Sequence, residues 1–176
     1  MSGHSKWAQI KRQKGAEDSK RSKLFGKLGS LIAAESRKTK GDVDAPGLRA
    51  VIEKAKKENM PKDTIERAVK KGAGGDVNAM EALTYEGYGP GGCALIIEAF
   101  TGNRNKAAQE IKHIIAKNGG SLAAQGAAVW AFKKTEEGWE PNSTIPLSDE
   151  DGATLSVLIE ELEENDEVQD VYTNAE

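Results

Sequence analysis

The pattern of apolar residues changes at a glycine-rich segment, and this change restricts the fold more than any other feature. The segment, KKGAGGDVNAM, spans residues 70–80 and contains residues that interrupt regular structure. Before it, apolar residues recur at three- and four-residue spacing, as in amphipathic helices. After it, β-branched apolar runs alternate with helical patterns. We therefore predict a basic helical domain over 1–76 and an acidic α/β domain over 77–176.

Three short amphipathic helices are predicted before the break. The first covers about 17–39, and the second covers about 45–58, with Asp44 as its N-cap and Pro46 in its first turn. The third begins at Pro61. None would be stable alone, so we expect them to share one core. Its predicted residues are Leu24, Phe25, Leu28, Leu31, Ile32, Leu48, Val51, Ile52, Ala55, Ile65, Ala68 and Val69.

The second domain is predicted to be ferredoxin-like, which makes the whole chain α+β. Short apolar runs with β-branched residues predict strands, and periodic runs predict helices. The STIPL segment is assigned to an edge because Pro146 lacks an N–H group. The resulting β-α-β-β-α-β order is that of a sheet with two helices on one face. The predicted elements are strands over 93–100, 127–134, 143–147 and 167–174, and helices over 103–120 and 148–165.

Charge is divided unequally between the two halves. Residues 1–71 contain 19 basic and 9 acidic residues, a net charge of +10. Residues 72–176 contain 6 basic and 19 acidic residues, a net charge of −13. The overall charge of −3 conceals this asymmetry. Such a division indicates a basic part that meets a polyanion and an acidic part that increases solubility or meets a protein partner.

The strongest candidate site is the basic N-terminal stretch. Lysine and arginine neutralise phosphates and release counterions, which gives affinity without sequence specificity. The tryptophan would either stack on a base or anchor the stretch to the helical core. Two alternatives are a solvated basic face and a mitochondrial transit peptide, although Glu17 and Asp18 argue against the latter. The candidate nucleic-acid-binding residues are Lys6, Trp7, Lys11, Arg12, Lys14, Lys20, Arg21, Lys23 and Lys27.

A second candidate contact region lies in the other half. The YEGYGPGG segment at 85–92 contributes Tyr85 and Tyr88 to a glycine-rich loop that a phosphate or base could approach closely. The alternative is an ordinary tight turn before a strand. Further along the chain, a predicted helix N-terminus favours anions, with the alternative that its residues only cap the helix. The residues concerned there are Asn103, Arg104 and Lys106.

Recognised signatures of enzymes, metal sites and cofactor sites are absent from the sequence. The two histidines lie in different predicted domains, and no Cys/His group has zinc-binding spacing. The single cysteine, Cys93, begins an apolar strand and is expected to be a buried structural thiol in a reducing compartment. No apolar run reaches the length of a membrane span. We therefore expect a non-enzymatic, cytoplasmic protein without a metal, another cofactor or a membrane partner.

Several segments together resemble the YebC/PmpR family, which includes the mitochondrial translational activator of cytochrome c oxidase. They are GHSKWAQIK, DSKRSKLFGKL, ENMPKDTIERAVKKGAG, YEGYGPGG, TGNRNKAAQEIKHIIAKNGGSL and VQDVYTNAE. The resemblance implies a DNA-binding transcriptional regulator or a ribosome-associated translation factor that binds ribosomal or transfer RNA. It also implies that the basic stretch and first helix form the nucleic-acid surface. The family's third domain is expected to be reduced to a linker at about 135–147.

Three hypotheses for function remain open at the level of sequence. The first is sequence-tolerant DNA binding, which the usual family label favours. The second is RNA binding during translation, which the lack of a recognisable helix-turn-helix or zinc finger modestly favours. The third is an adaptor whose basic half binds an acidic protein.

Overall fold

The computed structural model describes the backbone over 18–75 and 79–176 and the side chains over 21–75 and 79–176. The described residues divide into two compact units, one comprising 18–75 and 79–81 and the other 82–176. We call the first the helical unit and the second the α/β unit.

The helical unit contains three α-helices: α1 (Asp18–Thr39), α2 (Pro46–Lys57) and α3 (Lys62–Ala73). Pro46 occupies the first helical position of α2, where its missing N–H group costs nothing. The predicted N-cap of α2 is wrong, because Ala45 holds that position and provides no side-chain acceptor. Asp44 belongs instead to the preceding turn, where its backbone N–H donates to Asp42 Oδ1 at 3.0 Å.

The predicted apolar stripes form the core of the helical unit. Leu28 and Ile32 from α1 pack with Leu48 and Ala55 from α2 and with Ile65 from α3. The remaining predicted core residues are partly buried around this centre. Tertiary packing therefore stabilises helices that would be marginal as isolated peptides.

The described part of the α/β unit contains six strands and two α-helices. They are β1 (Glu81–Tyr88), β2 (Ala94–Thr101), α4 (Arg104–Lys117), β3 (Ser121–Ala123), β4 (Phe132–Thr135), β5 (Gly138–Pro141), α5 (Asp149–Glu164) and β6 (Val168–Thr173). Four of the strands form a sheet with the spatial order β3-β1-β2-β6. Two antiparallel registers define its edges, with Gly87 opposite Leu122 and Ile97 opposite Val171. A separate two-stranded sheet pairs β4 with β5.

Strand β2 is buried on both sides, which explains why its sequence is apolar except for Glu98 and Thr101. Leu95 and Ile97 face a core that includes Ile111 from α4 and Leu155 from α5. Ile96 points to the opposite side of the sheet, because successive strand residues alternate. We call these two sides the helix side and the loop side. The loop-side cluster is completed by Tyr88, Ala94, Ala128, Val129, Ala131, Phe132, Trp139 and Tyr172.

The predicted fold class is confirmed: three helices precede a sheet-containing part in an α+β chain. The order of elements differs in detail, because β1 precedes the first predicted strand and forms a central part of the sheet. The predicted strand over 127–134 begins instead with a 3₁₀ turn at Val129–Ala131. The predicted strand over 143–147 makes only an isolated bridge between Ile145 and Ala175, and Pro146 has no N–H group with which to extend it.

Within the described residues, no helix has both the length and the apolar composition that crossing a bilayer would require.

Candidate nucleic-acid interface

Part of the predicted basic site lies on α1. Arg21 is exposed there, and the side chains of Lys23 and Lys27 are half-buried. Lys20 belongs to the same helix, but its side chain lies outside the described region. The other predicted residues also lie outside the described region, and they are Lys6, Trp7, Lys11, Arg12 and Lys14.

The described surface of the helical unit carries an excess of positive charge. Over 21–75, twelve basic side chains are exposed against six acidic ones. The exposed basic residues are Arg21, Arg37, Lys38, Lys40, Arg49, Lys54, Lys56, Lys57, Lys62, Arg67, Lys70 and Lys71.

Three of these cations pair with a carboxylate on their own helix. The N···O distances are 3.0 Å for Lys38–Glu35, 3.6 Å for Lys56–Glu53 and 3.9 Å for Lys62–Glu66. All three pairs have a three- or four-residue spacing and a solvent-exposed lysine. Such pairs typically contribute about 0–1 kcal/mol, so a phosphate could replace these carboxylates at little cost.

Helix ends explain some of the basic residues but not all of them. Cations in the last turn stabilise a helix by interacting with its dipole, and all three helices have them there. Arg21, Arg49 and Lys62 lie elsewhere on these helices. Lys62 is the first residue of α3, where a cation opposes the helix dipole. The positive surface therefore exceeds what helix stability would favour.

A groove of about 680 Å³ also lies in the helical unit. Its lining includes apolar side chains from α2 and α3, such as Ile52 and Val69. Charged residues at the groove include Lys56, Lys70 and Glu66. The groove and the basic surface thus share lysines.

Four residues of the second candidate region lie close to one another. The Tyr85 hydroxyl donates to the carbonyl oxygen of Arg104 at 3.5 Å, and the Tyr85 ring packs on the helix-side core. The Asn103 side chain caps α4 by accepting the Lys106 N–H at 3.1 Å. Lys106 Nζ lies 3.3 Å from Glu167 Oε1, and this hydrogen bond raises the pKa of Lys106. These contacts support the capping alternative, and a role in binding stays a prediction.

Tyr88 is not part of that group. It follows Tyr85 by three positions along β1, and because this number is odd the two rings project from opposite sides of the sheet. The Tyr88 ring packs in the loop-side cluster, and its hydroxyl donates to the carbonyl oxygen of Ala127. The structure therefore does not bring the two tyrosines together into one contact loop.

A buried carboxylate, Glu86, lies two positions before Tyr88 on β1 and was not predicted from the sequence. Glu86 is 5% exposed and accepts three backbone N–H groups, at 2.6 Å from Gly126, 2.9 Å from Ala128 and 2.7 Å from Val129. Burial raises the pKa of Glu86, but the three donors outweigh it and bring the net pKa below the usual value. No sequence motif indicates this arrangement, because its donors are backbone groups about 40 residues away.

Cys93 is fully buried, as predicted, and burial raises the pKa of its thiol. Among the described residues, no cluster of His, Cys, Asp or Glu side chains is arranged to hold a metal ion.

Comparison with known proteins identifies the family. The profile of the TACO1/YebC protein N-terminal domain matches residues 5–75. The profile of the TACO1/YebC second and third domain matches residues 80–136 and 131–175. The chain belongs to the TACO1/YebC family. The resemblance found in the sequence motifs is thereby confirmed.

Relatives in this family are named as regulators. A "probable transcriptional regulatory protein" of Fervidobacterium nodosum is 49% identical over 173 residues, covering 96% of this chain and 68% of the relative. A protein of the same name from Halothermothrix orenii is 45% identical over 176 residues, covering 98% of this chain and 66% of the relative. The chain thus spans about two thirds of the length of these two relatives.

Two further comparisons extend over most of both proteins. A "probable transcriptional regulatory protein" of Syntrophus aciditrophicus is 37% identical over 237 aligned positions, covering 99% of this chain and 95% of the relative. Because this chain has 176 residues, that alignment includes positions that only the relative fills. A crystal structure of the conserved hypothetical protein Aq1575 from Aquifex aeolicus has a TM-score of 0.77 and 31% identity, covering 90% of this chain and 91% of that one.

Proposed function

We propose that this protein is a non-enzymatic, nucleic-acid-binding regulator of transcription that holds DNA through its helical unit. The observation that carries the proposal is the exposed charge of that unit, with twelve basic side chains against six acidic ones over 21–75. Membership of a family whose relatives are named transcriptional regulators supports it.

The proposed mechanism is electrostatic. Lysine and arginine side chains contact backbone phosphates and release condensed counterions, which gives affinity for any sequence. The α/β unit is acidic, and its last basic residue is Lys134. This unit would contribute little to phosphate binding, bias the orientation of the protein on the nucleic acid and leave an acidic surface for a protein partner.

RNA binding during translation is the second candidate. The observation that favours it is the exposed indole ring of Trp130, which is 62% accessible to solvent. A flat, exposed ring suits unpaired bases, which are common in RNA loops and absent from an intact duplex.

The test compares two variants that each lose three lysines from one helix. The first carries Lys20→Gln, Lys23→Gln and Lys27→Gln on α1. The second carries Lys106→Gln, Lys112→Gln and Lys117→Gln on α4. The affinity of the full chain and both variants is measured on duplex DNA and on structured RNA between 50 and 200 mM salt.

If about six phosphates are contacted, the affinity of the unsubstituted chain should fall roughly a thousandfold across that range. If its three lysines contact phosphates, the α1 variant should bind all DNA sequences more weakly and lose about 2.7 from the slope of log K against log salt. The α4 variant should keep the slope of the unsubstituted chain. A flat salt titration would contradict the mechanism, and an equal loss in both variants would contradict its assignment to the helical unit. Preference for RNA over DNA would favour the second candidate.

A further inference from the structure

The indole N–H of Trp130 is hydrogen-bonded within the protein, whereas most of the ring is exposed. Trp130 is 62% accessible, although tryptophan is among the most apolar side chains. Its indole N–H donates to the carbonyl oxygen of Ala127 at 2.8 Å and to the hydroxyl of Tyr88 at 3.1 Å. The only polar group of the side chain is therefore occupied within the protein, and the surface left for a ligand is the flat apolar ring.

Hydrogen bonds and buried neighbours fix the backbone segment that carries this ring. Glu86 accepts hydrogen bonds from the backbone N–H groups of Gly126, Ala128 and Val129. These residues flank Ala127 in the sequence, and the carbonyl oxygen of Ala127 accepts the indole N–H. Ala128 and Ala131, which precede and follow Trp130 in the sequence, are fully buried in the loop-side cluster. The exposed indole therefore belongs to a preorganised segment. Binding of a ligand would order few additional groups, which keeps the entropy cost of binding low.

In the described part of the α/β unit, the ring of Trp130 is the one large apolar side chain exposed on the loop side of the sheet. The other exposed large apolar side chain in that part is Val157. Val157 lies on α5, whose buried residues pack on the helix side of the sheet, whereas the Trp130 segment covers the loop side. A protein partner would be expected to use a contiguous apolar patch with a packed centre, which these described residues do not form around Trp130.

We propose that Trp130 is a stacking platform for one unpaired nucleobase, a role that rests on the proposed nucleic-acid function. Every base presents a π face of suitable size, so stacking contributes affinity with little sequence preference. Because its N–H is already occupied, the indole forms no hydrogen bond with a base edge. Base-paired DNA or RNA has no free face to offer it.

The experiment measures the affinity of the full chain for twelve-nucleotide RNA and DNA oligonucleotides of one sequence, each as a single strand and as a duplex. Trp130→Ala removes the ring, and Trp130→Phe keeps a smaller one. Val157→Ala is the control, because it shortens an exposed apolar side chain on the other side of the sheet. Thermal unfolding of each variant is followed by circular dichroism.

Trp130→Ala should weaken single-strand binding by about 5- to 100-fold, the range that loss of one stacked base produces. Trp130→Phe should retain most of the affinity, and Val157→Ala should retain all of it. Duplex binding should be the same for all four proteins. The salt dependence should be unchanged in Trp130→Ala, because no phosphate contact is lost. The strand, RNA or DNA, that shows the larger loss is the one that supplies the base.

Two results would overturn the stacking role while leaving the proposed function intact. One is salt-dependent binding that Trp130→Ala does not weaken. The other is an equal loss on single strands and duplexes, which would show that the substitution disturbs the fold or a general contact. Failure of the unsubstituted chain to bind any oligonucleotide would overturn the proposed function and the stacking role together.

Discussion

Gly72 illustrates how one residue determines the packing of the helical unit. It is buried at the contact of α3 with α1, where Ser36 Oγ also donates to the carbonyl oxygen of Val69 at 2.6 Å. A Cβ atom at position 72 would lie 2.1 Å from the carbonyl oxygen of Ala33 and 2.7 Å from Ser36 Cβ. The absence of a side chain therefore allows the two helix backbones to approach this closely.

Gly72→Ala should accordingly destabilise the helical unit. The overlapping atom is a backbone oxygen inside α1, so the clash can be relieved only by separating the helices. We expect the free energy of unfolding to fall by about 1–3 kcal/mol, the usual cost of overpacking. Urea denaturation followed by circular dichroism measures this change.

Gly26→Ala is the matched control for that substitution. Gly26 lies in the interior of α1, and a Cβ atom there would have no neighbour within 4 Å. Since alanine is the better helix former, this change should raise the free energy of unfolding by up to about 1 kcal/mol. If both substitutions stabilised the protein, the close approach at Gly72 would be refuted.

At the scale of elements, the loop over 124–131 depends on a single carboxylate. Glu86 on β1 accepts three of its backbone N–H groups. Glu86→Gln replaces one acceptor oxygen with an NH₂ group that faces an N–H donor. An unsatisfied buried donor costs about 1–3 kcal/mol, and we expect the free energy of unfolding to fall by that amount at neutral pH. Urea denaturation at several pH values measures it.

The same contact predicts a dependence on pH. The pKa of Glu86 is lowered in the folded protein. The ionised side chain therefore contributes fully to the free energy of unfolding at pH values above the pKa that Glu86 has in the unfolded chain. The contribution is lost as the pH falls through the folded pKa. The stability difference between the unsubstituted chain and Glu86→Gln should therefore be largest at neutral pH and shrink in acid. Glu140→Gln, at an exposed carboxylate on β5, is the control and should show a much smaller difference at neutral pH. A difference that grew in acid would contradict this role for Glu86.

The helices and the buried strands were predictable because their periodicity reflects burial. The stripe in α1 and the apolar run in β2 both place their residues in the observed cores. Strand β1 is not predicted, because most of its residues are exposed or half-buried and its apolar residues do not alternate regularly with its polar ones. A strand of this kind has no apolar signature, and its place in the sheet depends on its neighbours.

Missing β1 also affected the prediction of the site. A loop over YEGYGPGG would present Tyr85 and Tyr88 together, whereas strand β1 places them on opposite sides of the sheet. Trp130 lies within the predicted strand over 127–134, whereas the structure places it in the 3₁₀ turn at Val129–Ala131. The basic residues of α1 were predictable because charge and helical spacing are local properties of the sequence.

On the scale of the whole molecule, the two units differ in charge and each has its own core. The core of the helical unit is drawn from α1, α2 and α3 together with Met60, whereas the cores of the α/β unit lie on the two sides of its sheet. Charge and fold therefore change at the same part of the chain. The proposed function uses this coincidence, because the basic unit would bind a polyanion while the acidic unit folds around its own apolar residues.

Because each unit has its own core, we expect a substitution in one core to destabilise that unit and not the other. Leu48→Ala in the helical unit and Ile97→Ala in the α/β unit each truncate a fully buried side chain, with an expected cost of about 2–5 kcal/mol. Each substitution should lower the protection of backbone amides against hydrogen exchange in its own unit and leave the other unit's protection unchanged. Peptide-resolved hydrogen–deuterium exchange measures both units in one experiment, and each variant is the control for the other. If either substitution lowered protection throughout the chain, the two units would form one cooperative structure, because a loss in one core would then be transmitted to the other.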